Sequence, residues 1–410
     1  MNRKKLLYFL TTIALLFSVF SCSNNQANQP EAENNPKNEK TVSQTTERTS
    51  KSQVIPQKAP PKSKADPSES AKLTNEAKFL AGMTVDRKSS LASLEKNEAW
   101  KAHKQFFDNV WGRLEKQQLS KIRTWSSQQL KPIYQSSKFI FYPFSGPDFL
   151  YGYSFFPQGN TYVLVGLEPI GSLPALEKSS ASEVNGNLQF VQQSLRAILQ
   201  WSFFLTNDMK VDLSQQGVLP ILFVFLARTN NQIQSVQYVG LKKDATIGAL
   251  EKGNKENLIS GVKIDFVPDG SSNPRSLYYF SADLSNSGLK KKPEFDKFVQ
   301  NLGKPITYLK AASYLLHYSE FSTIRNLILS QSVGVLQDDS GIPVKDFDRS
   351  KWKLEFYGNY TQPIALFSSE YQGDLRNLYQ SKSNVKPLDF GIGYRYQVSD
   401  SNLMLALRKK

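Results

Sequence analysis

A single cysteine, Cys22, and two histidines, His103 and His317, are all that 410 residues offer of those types. One thiol makes no intramolecular disulfide, so the core has to hold by packing alone. Neither histidine has a His-x₃-His or His-Glu neighbour, which leaves out a zinc centre of His and Cys ligands. No Gly-x-Ser-x-Gly presents a nucleophilic serine, and no Gly-x-x-x-x-Gly-Lys loop cradles phosphates. The Gly-Ile-Gly at 391–393 lacks the third glycine of a dinucleotide turn and the helix that should follow it. Lys290-Lys291-Lys292 and Arg408-Lys409-Lys410 carry no interleaved aromatics, so nucleic acid is not an expected partner. No sequence repeat of fixed period is present. No cofactor is expected.

What is abundant is Phe and Tyr, 26 and 18 against 5 Trp, within a chain that is 40% hydrophobic. That suits a sizeable, strand-containing core. The formal charge of +15 favours anionic partners such as lipid headgroups or acidic polysaccharide. Spread along the chain, it also serves solubility.

The first residues are basic, with Arg3, Lys4 and Lys5, and residues 6–20 are apolar except for Thr11, Thr12 and Ser18. That is the length of a signal-peptide core and is shorter than the ~20 residues of a spanning helix. Val19-Phe20-Ser21-Cys22 resembles a bacterial lipobox: an aliphatic residue, a variable one, a small one, then cysteine. The resemblance implies cleavage after residue 21, a diacylglycerol on the Cys22 sulfur and an acylated N-terminus. Residues 1–21 are then a lipoprotein signal peptide. The chain is expected to be held on the cell membrane or the outer membrane, facing the periplasm or the exterior. One acyl chain binds a bilayer marginally; two or three bind stably, at ~0.8 kcal/mol per buried methylene.

Residues 22–72 hold no aromatic residue and six prolines, Pro30, Pro36, Pro56, Pro60, Pro61 and Pro67. With so little to bury they cannot offset the entropy of ordering, and they read as a disordered tether.

Residues 73–410 read as one α+β domain with a mixed, largely antiparallel sheet. Trp100, His103, Phe107, Val110, Trp111 and Leu114 fall on one helical stripe, and Leu188, Val191, Leu195, Ile198 and Leu205 on another. Residues 138–171 read as two or three strands with turns at 145–148 and 158–160. Residues 218–227 read as a buried strand, followed by a turn at Asn230-Asn231 and an alternating partner strand. A hairpin is expected around Asp269-Gly270. Residues 306–331 suggest two successive helices broken near Ser319. Residues 333–347 read as strand, turn and return, and a hairpin closes the chain.

Carboxylates are the remaining chemistry. Asp148 stands among the aromatics of "FYPFSGPDFLYGYSFFP", where exposed Tyr142, Tyr151 and Tyr153 would form a stacking platform for a sugar. A plain core strand explains the same run. Asp338, Asp339, Asp346 and Asp348 cluster in "QDDSGIPVKDFD". Asp338 and Asp339 are candidates for a metal or an acid/base pair, against the simpler reading of turn aspartates bonding their own backbone. The segments "YPFSGPDFLY", "QDDSGIP" and "FGIGYR" are similar to bacterial secreted proteins of no assigned activity, which implies no role for any residue. The expected function is a tethered envelope domain that binds a partner protein, a glycan or another ligand. The alternative is a carboxylate-dependent hydrolase of a cell-wall or polysaccharide substrate.

Overall fold

The computed structural model describes residues 66–204, 216–250, 258–381 and 384–409. The signal segment, Cys22, nearly all of the expected tether and Leu205 lie outside the described residues. The tether boundary at 72 falls inside a helix, α1 (Pro67–Leu80). Asp66 caps it by accepting the Ser68 N–H, and Pro67 stands at its first position, where a missing N–H costs nothing. The buried Ala77, Phe79 and Leu80 at the helix end fasten it to the core.

The stripe of Trp100, His103, Phe107, Trp111 and Leu114 is the buried face of α2 (Glu98–Leu114). A π-helical turn (Glu115–Leu119) joins it to α3 (Ser120–Gln129). Next come β1 (Phe139–Tyr142), α4 (Phe149–Phe155) and β2 (Thr161–Gly166). The expected turns are there, but the aromatic run between them is a helix, and β1 pairs β2 in parallel. Six of the seven residues of α4 are buried, so no polar face marked it as helical. Further on, α5 (Ala181–Trp201) opens on a capping box of Ser180 and Glu183.

The run expected as a buried strand is instead α6 (Leu219–Arg228). Pro220 sits in its first turn, where proline is compatible with a helix, and nine of its ten residues are buried. The turn at Asn230 and strand β3 (Asn231–Leu241) follow as expected. So does the hairpin of β5 (Ile259–Pro268) and β6 (Arg275–Ser281), with β4 (Ile247–Ala249) on the far side of β3. After α7 (Glu294–Asn301), residues expected to open a helix form β7 (Ile306–Leu309). A 3₁₀ turn, α8 (Ser322–Gln331), β8 (Gly334–Gln337) and β9 (Trp352–Gly358) come next. No return strand follows β8 directly: residues 338–341 turn into a 3₁₀ segment instead. The chain ends with α9 (Gly373–Gln380), β10 (Val385–Lys386) and β11 (Asn402–Arg408). In place of a closing hairpin, only a single bridge, Ile392 to Arg395, precedes β11.

The eleven strands among the described residues form one sheet, ordered β10-β9-β11-β8-β7-β1-β2-β6-β5-β3-β4. The α+β class and the mixed sheet agree with the sequence. Its pairings divide evenly, five parallel and five antiparallel, with the parallel block β8-β7-β1-β2-β6 at the centre. Alternate residues of each central strand enter opposite cores. Ile140, Tyr142, Leu164 and Tyr308 pack under α2 to α6, and Phe139, Phe141, Val165 and Val335 under α7 to α9. Each such fully buried side chain stabilises the fold by roughly 1.5–3 kcal/mol. Among the described residues, no helix is long and apolar enough to cross a membrane.

Candidate functional site

From β1 the chain moves to β2 on one side; β7, on the other side of β1, leads on to β8 in the opposite direction. The order of strands thus reverses between β1 and β7. In open sheets of parallel strands, the crevice outside the carboxyl ends at such a reversal is where ligands bind. Asp148 follows β1, Lys310 follows β7 and Asp338 follows β8, so all three meet there.

Asp148 Oδ1 accepts the Tyr151 N–H at 3.1 Å, capping α4. Its Oδ2 accepts from the Tyr142 hydroxyl at 2.8 Å and from Lys310 Nζ at 2.5 Å. Lys310 also donates to the Ser202 carbonyl at 2.5 Å, and its ammonium lies 3.9 Å from the centre of the Tyr151 ring. Asp148 and Lys310 are 2% and 3% exposed, so this is an ion pair removed from water. Burial pushes the Asp148 carboxyl up and the Lys310 ammonium down, each toward neutrality, and each partner's charge pulls the other back.

Asp338 Oδ1 accepts from the N–H of Ser340 at 3.0 Å and from its hydroxyl. Its Oδ2 accepts the Ala311 N–H at 3.0 Å. Ala311 has φ +57°, a left-handed conformation that costs an L-residue energy and that aims this N–H at the carboxylate. On its other flank a Cβ on Gly393 would lie 2.0 Å from Asp338 Oδ2, so only glycine brings backbone this close. Burial, then the neighbouring Asp339 charge, raise the Asp338 carboxyl to about 7. Asp339 accepts from the Tyr314 hydroxyl at 2.5 Å and from Asn402 Nδ2 at 3.0 Å; burial raises it too. The Tyr308 hydroxyl, fully buried beside Tyr142, has no partner among the described residues.

The structure therefore brings together Asp148, Tyr142, Tyr151, Asp338 and Asp339, but not as a surface platform. Tyr142 and Tyr151 are 1% and 0% exposed, because they fill the core and cannot stack on a sugar from solvent. Tyr153, on the opposite flank of α4, packs against Phe149 and Phe266 instead. Asp346 pairs with Arg325, and exposed Asp348 with Lys351, both away from the cluster. Among the described residues, no three His, Cys, Asp or Glu side chains are placed to hold a metal ion, Asp338 and Asp339 included.

Sequence reasoning missed Lys310. Its signal was one cation directly after four β-region residues, visible only once Ile306–Leu309 is read as a strand. Both histidines are satisfied inside the protein. His103 Nε2 donates to the Leu80 carbonyl at 2.8 Å and Nδ1 accepts from Gln192, while His317 Nε2 donates to the Gly341 carbonyl at 2.8 Å. Comparison with protein-family models, with curated proteins and with solved structures finds no match.

Proposed function

We propose that this chain is a lipid-anchored protein of the bacterial cell envelope, held by an acylated Cys22, whose folded body binds an envelope protein, a glycan or another ligand. The observation that carries the binding reading is the state of the acids at the strand reversal. Every carboxylate oxygen of Asp148, Asp338 and Asp339 already accepts a hydrogen bond from the protein. These carboxylates are also buried, and a general base must come within hydrogen-bond reach of the proton it takes. The anchor reading is supported by the basic opening, the apolar run of residues 6–20 and the small residue before the only cysteine. Cys22→Ala should leave the membrane fraction, or stay there only as an uncleaved precursor, in fractionation followed by mass determination. A processed Cys22→Ala protein that still sediments with membranes overturns the anchor.

The second reading, a carboxylate-dependent hydrolase, is favoured by one observation: three acids converge at a strand reversal and one is raised to about 7. Turnover of a cell-wall glycan that Asp338→Asn abolishes, with the fold intact, would replace binding by catalysis.

A further inference from the structure

A groove of about 1160 Å³ runs between α2 with its π-helical turn, the end of α5 and residues 391–398. Small-molecule sites are usually about 300–1,000 Å³, so this one suits a large ligand. Four cations line it, Arg113, Lys116, Lys121 and Arg196, and no acid does. Lys121 donates to the Asp389 carbonyl at 2.8 Å. Arg113, Lys116 and Arg196 have no ion pair or hydrogen bond among the described residues. Glu115, the acid nearest in sequence, is taken by Arg123.

Between these cations the floor is apolar, formed by Phe106, Val110, Leu114, Leu199 and Trp201. At the rim Tyr396 and Val398 are 41% and 48% exposed, large apolar groups left in water. The wall carries a π-turn, a backbone irregularity that costs helical stability and recurs at functional sites. Gln118 in that turn donates to the Gly391 carbonyl and accepts from the Tyr151 hydroxyl at 2.7 Å, tying the groove wall to the strand reversal.

We infer that this groove binds one anionic amphiphile: a phosphate headgroup held by Arg113, Lys116 and Arg196, with its acyl chain along the apolar floor. Guanidinium groups meet a phosphate through paired, charge-assisted bonds. A free anion would leave the floor wet, and a neutral lipid would leave three cations unpaired. A nucleic acid would bring a row of phosphates and polar bases, which would leave Val110, Leu114 and Leu199 on the floor without an apolar match. This rests on the binding reading only in taking the body to hold a ligand, and it does not depend on Cys22. Failure of the groove leaves the anchor test untouched, and loss of the anchor leaves the groove.

The test is native mass spectrometry of the full chain released from a non-ionic detergent, with lysophosphatidic acid, a monoacylglycerol of the same chain length and inorganic phosphate as probes. One lysophosphatidic acid should be retained per chain, and neither of the other probes. Arg113→Gln/Lys116→Gln/Arg196→Gln should weaken retention about ten-fold or more at a melting temperature no lower than that of wild type. Arg113→Lys/Arg196→Lys, which keeps the charge, should bind better than the glutamine variant. Equal retention by the triple variant overturns the proposal, as does equal retention of the monoacylglycerol or equally tight inorganic phosphate. Should the triple variant melt lower, Arg196→Gln alone must still show a loss of binding, or the proposal fails.

Discussion

Two polar regions of one body are built on opposite rules. At the strand reversal, each carboxylate of Asp148, Asp338 and Asp339 is buried and holds a protein donor on both oxygens. In the basic groove, Arg113, Lys116 and Arg196 are exposed and hold nothing among the described residues. The difference follows from solvation. A charge taken out of water costs several kcal/mol unless it is paired and hydrogen-bonded, so the interior must supply every partner itself. A charge left in water costs little unpaired and stays available to something from outside. Satisfaction therefore marks the first region as part of the fold, and its lack marks the second as a surface that can take a ligand.

The largest expected effect comes from breaking the interior rule. Lys310→Met leaves Asp148 with the Tyr142 hydroxyl and the Tyr151 N–H but no cation, in a site 2% exposed. The stability lost should be about 3–5 kcal/mol, read from urea unfolding. Lys310→Met/Asp148→Leu removes both charges and should regain more than half of that loss. A Lys310→Met protein as stable as wild type would show that the pair is neutral in the folded state and that its charge plays no part.

How far this region is legible in the sequence depends on which residues are asked about. Asp148, Tyr142, Tyr151, Asp338 and Asp339 stand out as acids and aromatics in unusual company, and the turn at 145–148 is readable from Gly and Pro. Their convergence is not readable, because it depends on β7 lying beside β1 across more than a hundred residues of chain. The helices α4 and α6 hide for a different reason. A helix buried on nearly all sides has no polar face, and over seven to ten residues it cannot be told from a buried strand. Amphipathic α2 and α5, which do present a polar face, read correctly. The groove was legible only as scattered positive charge: Arg113 and Lys116 lie far in sequence from Arg196, and only the packing of α2 beside α5 sets them round one floor.

A second, smaller effect separates two buried titrating groups. His103 is fully buried, and burial holds its imidazole down to about 4, against the pull of its bond to the Leu80 carbonyl. The unfolded chain takes up that proton first, so the stability His103 allows is present above about 6.5 and is lost as pH falls toward 4. Over that window the loss is about 3 kcal/mol at most. Asp338 has the opposite sign. Its carboxyl is raised to about 7, so its contribution is present below the ordinary carboxylate range and is lost as pH rises through 7. In wild type the two slopes oppose each other between about 4 and 6.5. Subtracting the wild-type profile, Asp338→Asn should lose stability as pH falls through that range, and His103→Gln as pH rises through it. Chemical denaturation at a series of pH values measures both. Parallel slopes for the two variants would show that Asp338 is ionised in the fold, with its charge answered by Lys310.

The smallest effect on stability should come from the groove, and its smallness is the point. Arg113, Lys116 and Arg196 form no ion pair among the described residues, so replacing all three by glutamine removes no attraction that holds the fold. What it removes is mutual repulsion between like charges round one groove, which water and salt already weaken. Without ligand, the triple variant should therefore lie within about 0.5 kcal/mol of wild type, on the more stable side. Salt supplies the check. Added salt screens the repulsion in wild type, so the melting-temperature difference between the two proteins should shrink from low to high ionic strength. A triple variant markedly less stable than wild type at both salt concentrations would mean that these cations are structural, and the contrast between satisfied interior and open groove would then fail at its second half.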